Sequence, residues 1–353
     1  MRDCVIDSRR RVSNHSPMKK TLLSLAAIAL LLASLGIALP PRTVVERSIL
    51  IDAYPATVFA LLNDFNQVAQ WLPMLDADAN AQIDISGPQR GIGARIAWNG
   101  PIIGQGQQTI VESVPYERIA TALNPGKRSP ASNVFSLSPE NGMTRLSWRQ
   151  EREFGLQLAA RFYGLVLERV VGPEQERGLV ELQRLAENLP RADFSDIEIE
   201  QLVVQPQDIA YLQTTSIPQA TAISEAMRDA YYRVLGFIDE LGLEEAGAPL
   251  SITRTFSGAE LVFDAAIPVR GVATDMPQST GAVSMSETYG GPVIRVRHIG
   301  AYGALSVTHE KIAAYLAALG ITRDGDAWES YVSDPTRTDE ALLLTYVYYP
   351  VRP

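Results

Sequence analysis

Two stretches of this 353-residue chain close in the same way: "FDAAIPVRG" at 263–271 and "TYVYYPVRP" at 345–353. Their surroundings repeat as well. A first pass reads strand "DIAYLQTTS", helix "TAISEAMRDAYYRVLGFIDELGL", strand "LSITRTFS" and strand "AELVFDAAIPV". A second reads strand "PVIRVRHIG", helix "ALSVTHEKIAAYLAALGI", the segment "DAWESYVSD" and strand "EALLLTYVYYPV". Ile209 and Val293, Leu241 and Leu319, and Val269 and Val351 each lie about 80 residues apart, a period too long for a solenoid repeat. The pattern predicts two strand-helix-strand-strand modules, over about 200–270 and 283–353, packed pseudo-symmetrically with their helices on one face and a groove between their sheets. Pro268 and Pro350 then mark equivalent strand ends, where a missing N–H is tolerated. The copies are unequal. Ala265, Ala266 and Ile267 stand where the second copy has Val347, Tyr348 and Tyr349, so the aromatic copy is expected to supply the more selective wall of the groove.

The preceding segment is organised differently. "RTVVERSILIDAYPATVFALLNDF" opens with Val45, Arg47, Ile49 and Ile51 on one parity, a half-buried strand, and Val58, Phe59, Leu61 and Leu62 follow at helical spacing. Six short runs punctuated by Gly, Pro or Asn come next and read as strands: "QIDISG", "GARIAWNG", "GQGQQTIVESV", "RIATALN", "SNVFSLSP" and "MTRLSWRQE". "GPEQERGLVELQRLAENL" then sets Leu179, Leu182, Leu185, Ala186 and Leu189 on one face of a long closing helix. Strand, short helices, antiparallel meander and long helix make an α+β layout in which a curved sheet wraps a helix. The short polar "PRADFSD" at 190–196 follows that helix and separates a domain at 42–190 from one at 196–353.

The N-terminus carries an uncharged run, "TLLSLAAIALLLASLGIAL" at 21–39, behind a basic tail over 1–20 with Arg9, Arg10, Arg11, Lys19 and Lys20. At about 1.5 Å rise per residue it nearly spans a hydrocarbon core of about 30 Å, so it reads as a transmembrane anchor or a signal segment. A cleavable signal has a shorter apolar region and small residues at its cut site, whereas here Pro40 and Pro41 follow, which favours an uncleaved anchor. The basic flank precedes the span, and the positive-inside rule then exports the soluble domains to the periplasmic or extracytoplasmic side. Met18, followed by two lysines, is an alternative start to Met1.

Charge and residue usage remove several functions. A net charge of -9 opposes a non-specific grip on nucleic acid, which needs a basic face. Cys4 is the single cysteine, so no disulfide forms within the chain, and His15, His298 and His309 lack any metal-ligand spacing. No metal site and no cofactor are expected. "GQGQQT" lacks the Lys-Ser/Thr ending of a phosphate loop and lies in a strand context, so its glycines read as hairpin residues.

Taken together, "DAYPATVFALLNDFNQVAQWLP", "GIGARIAWNG", "GQGQQTIVESVP", "FSLSPENGMTRLSW" and the closing helix resemble the START-like superfamily, also called SRPBCC or polyketide-cyclase-like, over roughly 44–189. The resemblance implies a helix-grip fold with a deep, mostly apolar cavity for a hydrophobic small molecule or lipid, and implies no catalysis by itself. Trp71, Trp98 and Trp148 are candidate cavity walls, because a large ring gives apolar contact at small entropic cost; they serve equally as core residues.

The last 160 or so residues resemble the GyrI-like family, the effector-binding domain also attached to AraC-type and MerR-type regulators. The likeness rests on the duplicated layout, on "HIGAYGALSVTHEKIAAYL" and on "AWESYVSDPTRTDEALLLTYVYYPV". It implies a groove for small amphipathic, often cationic aromatic ligands, with a glutamate of the "WESY" element facing it. Glu329 flanked by Trp328 and Tyr331 suits a cation through charge pairing and cation–π attraction, and Tyr302, Tyr346 and Tyr348 are further candidates from the matching strands. Asp334 and Asp339 read as turn and cap residues. The regulators join this domain to a basic helix-turn-helix that is absent here, which argues against a transcription factor.

These readings converge on a membrane-anchored binding protein with an apolar ligand in the first domain and an amphipathic one in the second. One alternative is an enzyme of cyclase or hydrolase type with Glu329 and tyrosines as acid and base, although no serine-histidine-acid ordering and no cysteine nucleophile is found and no catalytic residue is assigned. Another is an interaction protein whose two cavities are filled by its own side chains.

Overall fold

The computed structural model describes residues 17–352 apart from 125, 127, 128, 274–276 and 278. Residues 1–16 of the basic tail, with Cys4 and His15, lie outside the described residues. The uncharged run forms α1 (Pro17–Ala38), and its Thr21–Ala38 stretch is, among the described residues, the one helix long and apolar enough to cross a membrane.

The molecule is α+β and carries two sheets. The first comprises β1 (Arg42–Ile51), β2 (Gln82–Ser86), β3 (Arg95–Gly100), β4 (Gly104–Val114), β5 (Arg118–Asn124), β6 (Ala131–Glu140) and β7 (Met143–Glu153). Their order is β1-β7-β6-β5-β4-β3-β2, so the meander runs hairpin by hairpin and the first strand closes against the last. Between β1 and β2 lie α2 (Pro55–Leu62), α3 (Phe65–Val68) and α4 (Pro73–Asp76), and α5 (Leu158–Glu187) follows β7. Pro55 starts α2, where its missing N–H costs nothing, and the Asp64 carboxylate accepts from Asn66 N–H at 2.8 Å to cap α3. Val58, Leu61, Phe65 and Val68 meet Ile96, Ile110, Ile119 and Leu146 from the sheet and Leu179 and Leu182 from α5 in one core.

The closing helix starts well before the Gly172 where its apolar face was expected to begin, and Pro173 lies inside it. Proline removes one helical hydrogen bond and crowds the carbonyl four residues back. Arg47 spans that turn, donating to Glu168 at 2.6 Å and to Glu176 at 2.7 Å, one on each side of the proline.

The second sheet holds ten strands: β8 (Ile199–Val204), β9 (Asp208–Ser216), β10 (Glu244–Glu245), β11 (Leu250–Phe256), β12 (Leu261–Arg270), β13 (Ser279–Thr280), β14 (Val283–Glu287), β15 (Gly291–Ile299), β16 (Trp328–Tyr331) and β17 (Leu344–Pro350). Its order is β13-β14-β9-β12-β11-β16-β17-β15-β8, with β10 against β12. The two modules therefore do not leave a groove between separate sheets, as the sequence pattern suggested. Their inner edges β11 and β16 pair directly, Ser251 opposite Glu329, which satisfies two rows of backbone groups that separate sheets would expose. Two further strands, absent from the sequence reading, are exchanged. β8, at the start of the first module, pairs with β15 of the second, and β14, at the start of the second, pairs with β9 of the first. Pro268 and Pro350 occupy matching places, their carbonyls accepting from Ala246 and Asp324 N–H at 2.7 and 2.9 Å.

Helices α6 (Ala220–Leu241) and α7 (Leu305–Ala318) cover the same face of this sheet. Ala230, Val234 and Phe237 of α6 pack on Leu212, Phe263 and Ala265, and Ile312 and Leu316 of α7 pack on Ile294, Val296 and Val347. The domains meet where α2 faces α7: Ala56 and Ala60 lie against Ala314, Ala318 and Leu319, with Phe194 of the linker edge-on to Tyr315 at 5.6 Å.

Candidate functional site

Pairing register decides which side chains share a face. Leu212, Ala265, Ser251, Glu329, Val347 and Val296 stand opposite one another in successive strands, so they form one row on the helix-covered side. Glu329 is at the middle of that row, on the join of the modules, on the face that α6 and α7 cover. Tyr331, two residues on, shares its face.

The Glu329 carboxylate, with a side chain 15% exposed, is held from two directions. His309 of α7 lies with Nε2 2.7 Å from Oε1, and the Tyr331 hydroxyl donates to Oε2. His309 Nδ1 is in turn 2.8 Å from the Tyr349 hydroxyl. With a neutral ring, Nε2–H donates to the carboxylate and Tyr349 donates to Nδ1; a protonated ring donates to both. Across the cleft, the Tyr231 hydroxyl donates to the Leu250 carbonyl at 2.8 Å, and Met227 Sδ lies 3.9 Å from the Tyr331 hydroxyl. Tyr302 packs edge-on to Tyr331 at 5.2 Å.

Four phenols of this cluster are pushed above the ordinary tyrosine value. For Tyr331 and Tyr231 burial is the largest cause and the Glu329 charge the next. Tyr349 is raised by burial, with the Arg323 charge opposing and the Glu329 charge adding, and Tyr302 by burial and then Asp334. They remain neutral at physiological pH, which makes them donors toward a carboxylate and apolar-faced walls toward a ligand ring.

The residues expected to form a cage do not all come together. Trp328 adjoins Glu329 in sequence but, by strand alternation, projects from the opposite face, where it stacks on Tyr348 at 4.8 Å with the rings 5° from parallel. Tyr346 is on that opposite face as well, under the Arg295 guanidinium at 4.5 Å. Of the six residues singled out, the structure brings Glu329, Tyr331 and Tyr302 together and places Trp328, Tyr346 and Tyr348 elsewhere. His309, Tyr349, Tyr231 and Met227 complete the cleft. The signal for His309 was present: with Leu305, Thr308, Ile312 and Leu316 it follows the inward stripe of α7.

In the first domain Trp71 and Trp148 meet edge-on at 6.0 Å, with Phe135 5.2 Å from Trp148, and fill the space between sheet and α5. Trp98 is apart from them, lying flat over Gly106 so closely that a Cβ there would come within 2.4 Å of its ring. Farther along the same inner face the sheet turns polar. Gln108 donates to Thr121 at 2.7 Å, while the Trp148 indole and Gln150 both donate to Asn133 Oδ1 at 3.0 Å. Gln175 of α5 donates to the Trp148 carbonyl at 3.4 Å, and the buried Oε1 atoms of Gln150 and Gln175 have no protein partner. A mostly apolar interior was expected. Gln108, Asn133 and Gln150 hold inward-facing positions of β4, β6 and β7, which strand alternation makes legible.

Residues 42–187 match the family model described as "Polyketide cyclase / dehydrase and lipid transport". No curated protein matches the chain. Among solved structures, the EcmrR C-terminal domain is 13% identical, covering 44% of this chain and 98% of its own, with a TM-score of 0.37. Protein CV1439 from Chromobacterium violaceum is 16% identical over 41% of this chain and 97% of its own, with a TM-score of 0.33. A hydrolase from Listeria innocua is 14% identical over 44% and 92%, also at 0.33. At such values these likenesses say nothing of ligand or reaction. The family match, with the seven-stranded sheet and its long helix, makes residues 42–187 a polyketide-cyclase-like domain of helix-grip fold, followed by a second, antiparallel-sheet domain.

Proposed function

We propose that the chain is a membrane-anchored small-molecule binding protein, and that its second domain, of GyrI-like type, takes an amphipathic organic cation in the cleft between α6 and α7. The observation that carries this is Glu329: a carboxylate at the centre of the sheet, largely shielded from water, ringed by Tyr331, Tyr302 and Tyr231 and by Met227. A buried carboxylate needs a partner. His309 fills that role, and an entering cation takes over the charge pairing while the aromatic faces cover its apolar part. The family match of the first domain supports a hydrophobic ligand there, and the free Oε1 acceptors of Gln150 and Gln175 favour one that carries a hydroxyl or amide donor.

The test uses the full chain in detergent with rhodamine 6G and tetraphenylphosphonium as probes. Wild type is expected to bind at least one, and Glu329→Gln to weaken it by about tenfold or more, the loss anticipated for a shielded charge pair. Equal binding by both proteins overturns the reading.

A second reading is supported by the relay Tyr349–His309–Glu329–Tyr331, which has the members of a general acid–base pair within hydrogen-bond reach. Turnover of a bound probe that is lost in both His309→Gln and Glu329→Gln selects the enzyme over the binder.

A further inference from the structure

The lower half of α5 leaves an apolar stripe uncovered. Leu156 precedes the helix and is 91% exposed; Ala159, Tyr163, Val166 and Val170 follow at spacings of four, three and four, all exposed. Such spacing puts them on one side of the helix. Water is a poor cover for that surface.

What lies next to the stripe identifies the cover. Arg161, on the same turns, fastens α5 to the end of α1: Nη1 donates to the carbonyls of Gly36, Ile37 and Leu39 at 3.2, 3.1 and 3.1 Å. Its Nε and Nη2 donate to the Gly155 carbonyl at 3.0 and 2.6 Å, in the turn that bears Leu156. One guanidinium thus satisfies the open carbonyl end of α1 and ties it to the start of α5. The contact is tight, since a Cβ on Gly36 would come 3.0 Å from Leu158 Cβ. The first turns of α5 therefore sit at the depth of the last turn of α1, at the edge of its apolar span. That span is itself bare, Leu23 and Leu30 being 71% and 72% exposed. The stripe begins within a turn of the contact with α1, so a bilayer that covers α1 up to its last turn ends beside the first turns of α5.

On the anchored reading given above, we infer that residues 156–170 rest in the membrane interface beside α1, with Leu156 and Val166 immersed at the headgroup–acyl boundary. A hollow of about 320 Å³, lined by Ser129, Arg152, Phe154, Ala160 and Tyr163, shares Tyr163 with the stripe.

The test places single nitroxides in a Cys4→Ser background of the full chain, as Leu30→Cys, Leu156→Cys, Val166→Cys and Tyr232→Cys, in nanodiscs of phosphatidylcholine and phosphatidylglycerol. Spin relaxation by oxygen and by a water-soluble nickel chelate reports depth. Labels at 156 and 166 are expected to show an oxygen-to-nickel ratio several-fold above that at 232, with 30 higher still. If 30 is in lipid while 156 and 166 match 232, the interfacial placement is wrong and the anchor stands. If 30 is also in water, the anchor reading fails and this inference fails with it. Shielding of 156 and 166 from both reagents means that protein, a second copy, covers the stripe, and overturns the placement in lipid.

Discussion

Tyr331 couples the chemistry of the cleft to pH. Burial, then the charges of Glu329 and Tyr231 and the hydrogen bond to Glu329, push its phenol above the ordinary value of about 10. The neutral form is the one the fold favours, so its contribution to stability is complete below about pH 10 and is lost as pH rises through the folded-state value. The melting temperature of wild type should fall more steeply above about pH 10 than that of Tyr331→Phe, measured by scanning fluorimetry. Tyr231 and Tyr349 are shifted the same way, so the substitution should flatten the slope without removing it. A slope unchanged in the variant contradicts the assignment. In the first domain, Gly106 is fixed by contact. Any side chain there meets the Trp98 ring, and Gly106→Val should cost about 1–3 kcal/mol by urea unfolding, the usual penalty of overpacking.

Among elements, α6 depends on its ending and α5 on its proline turn. Gly242 closes α6 in the left-handed region at φ 67°, its N–H reaching back to the Asp239 and Ile238 carbonyls. Gly242→Ala keeps the hydrogen bonds but adds a Cβ in that region, and should destabilise by about 1 kcal/mol with the urea m-value unchanged. In α5, Arg47 bridges the turn interrupted by Pro173. These partners are half exposed, so Arg47→Ala is expected to lower stability only slightly in urea unfolding, and the loss should shrink in high salt.

For the whole molecule, the alanine contact of α2 with α7 makes the domains one body. Small side chains allow close approach, and Ala318, fully buried, tolerates no larger group without parting the helices. Wild type should unfold in a single calorimetric transition, and Ala318→Arg should divide it into two, one per sheet. Two transitions already present in wild type would show the interface too weak to couple them. This interface also makes the two proposals interdependent: α5 on the membrane fixes the first domain, and α7, which carries His309, is held to the first domain through α2.

How far the sequence reached can be judged from particular residues. Alternation along β4 to β7, the inward leucines of α5 and the two matching passes of the second half specified the α+β layout, since strand and helix periodicity are local properties set by a few neighbouring side chains. Glu329 was singled out through the resemblance of its short motif to a family, not through periodicity. What the sequence left open is non-local. The exchange of β8 and β14 between modules, the direct pairing of β11 with β16, and the meeting of His309 with Glu329 each bring together residues from separate elements. The removal of Trp328 to the opposite face follows from alternation, but which face the helices cover was settled only by packing. The sequence alone determined the elements and their period; the tertiary structure decided the companions of Glu329, because a hydrogen-bonded cluster is defined by register and by which apolar faces must be buried together.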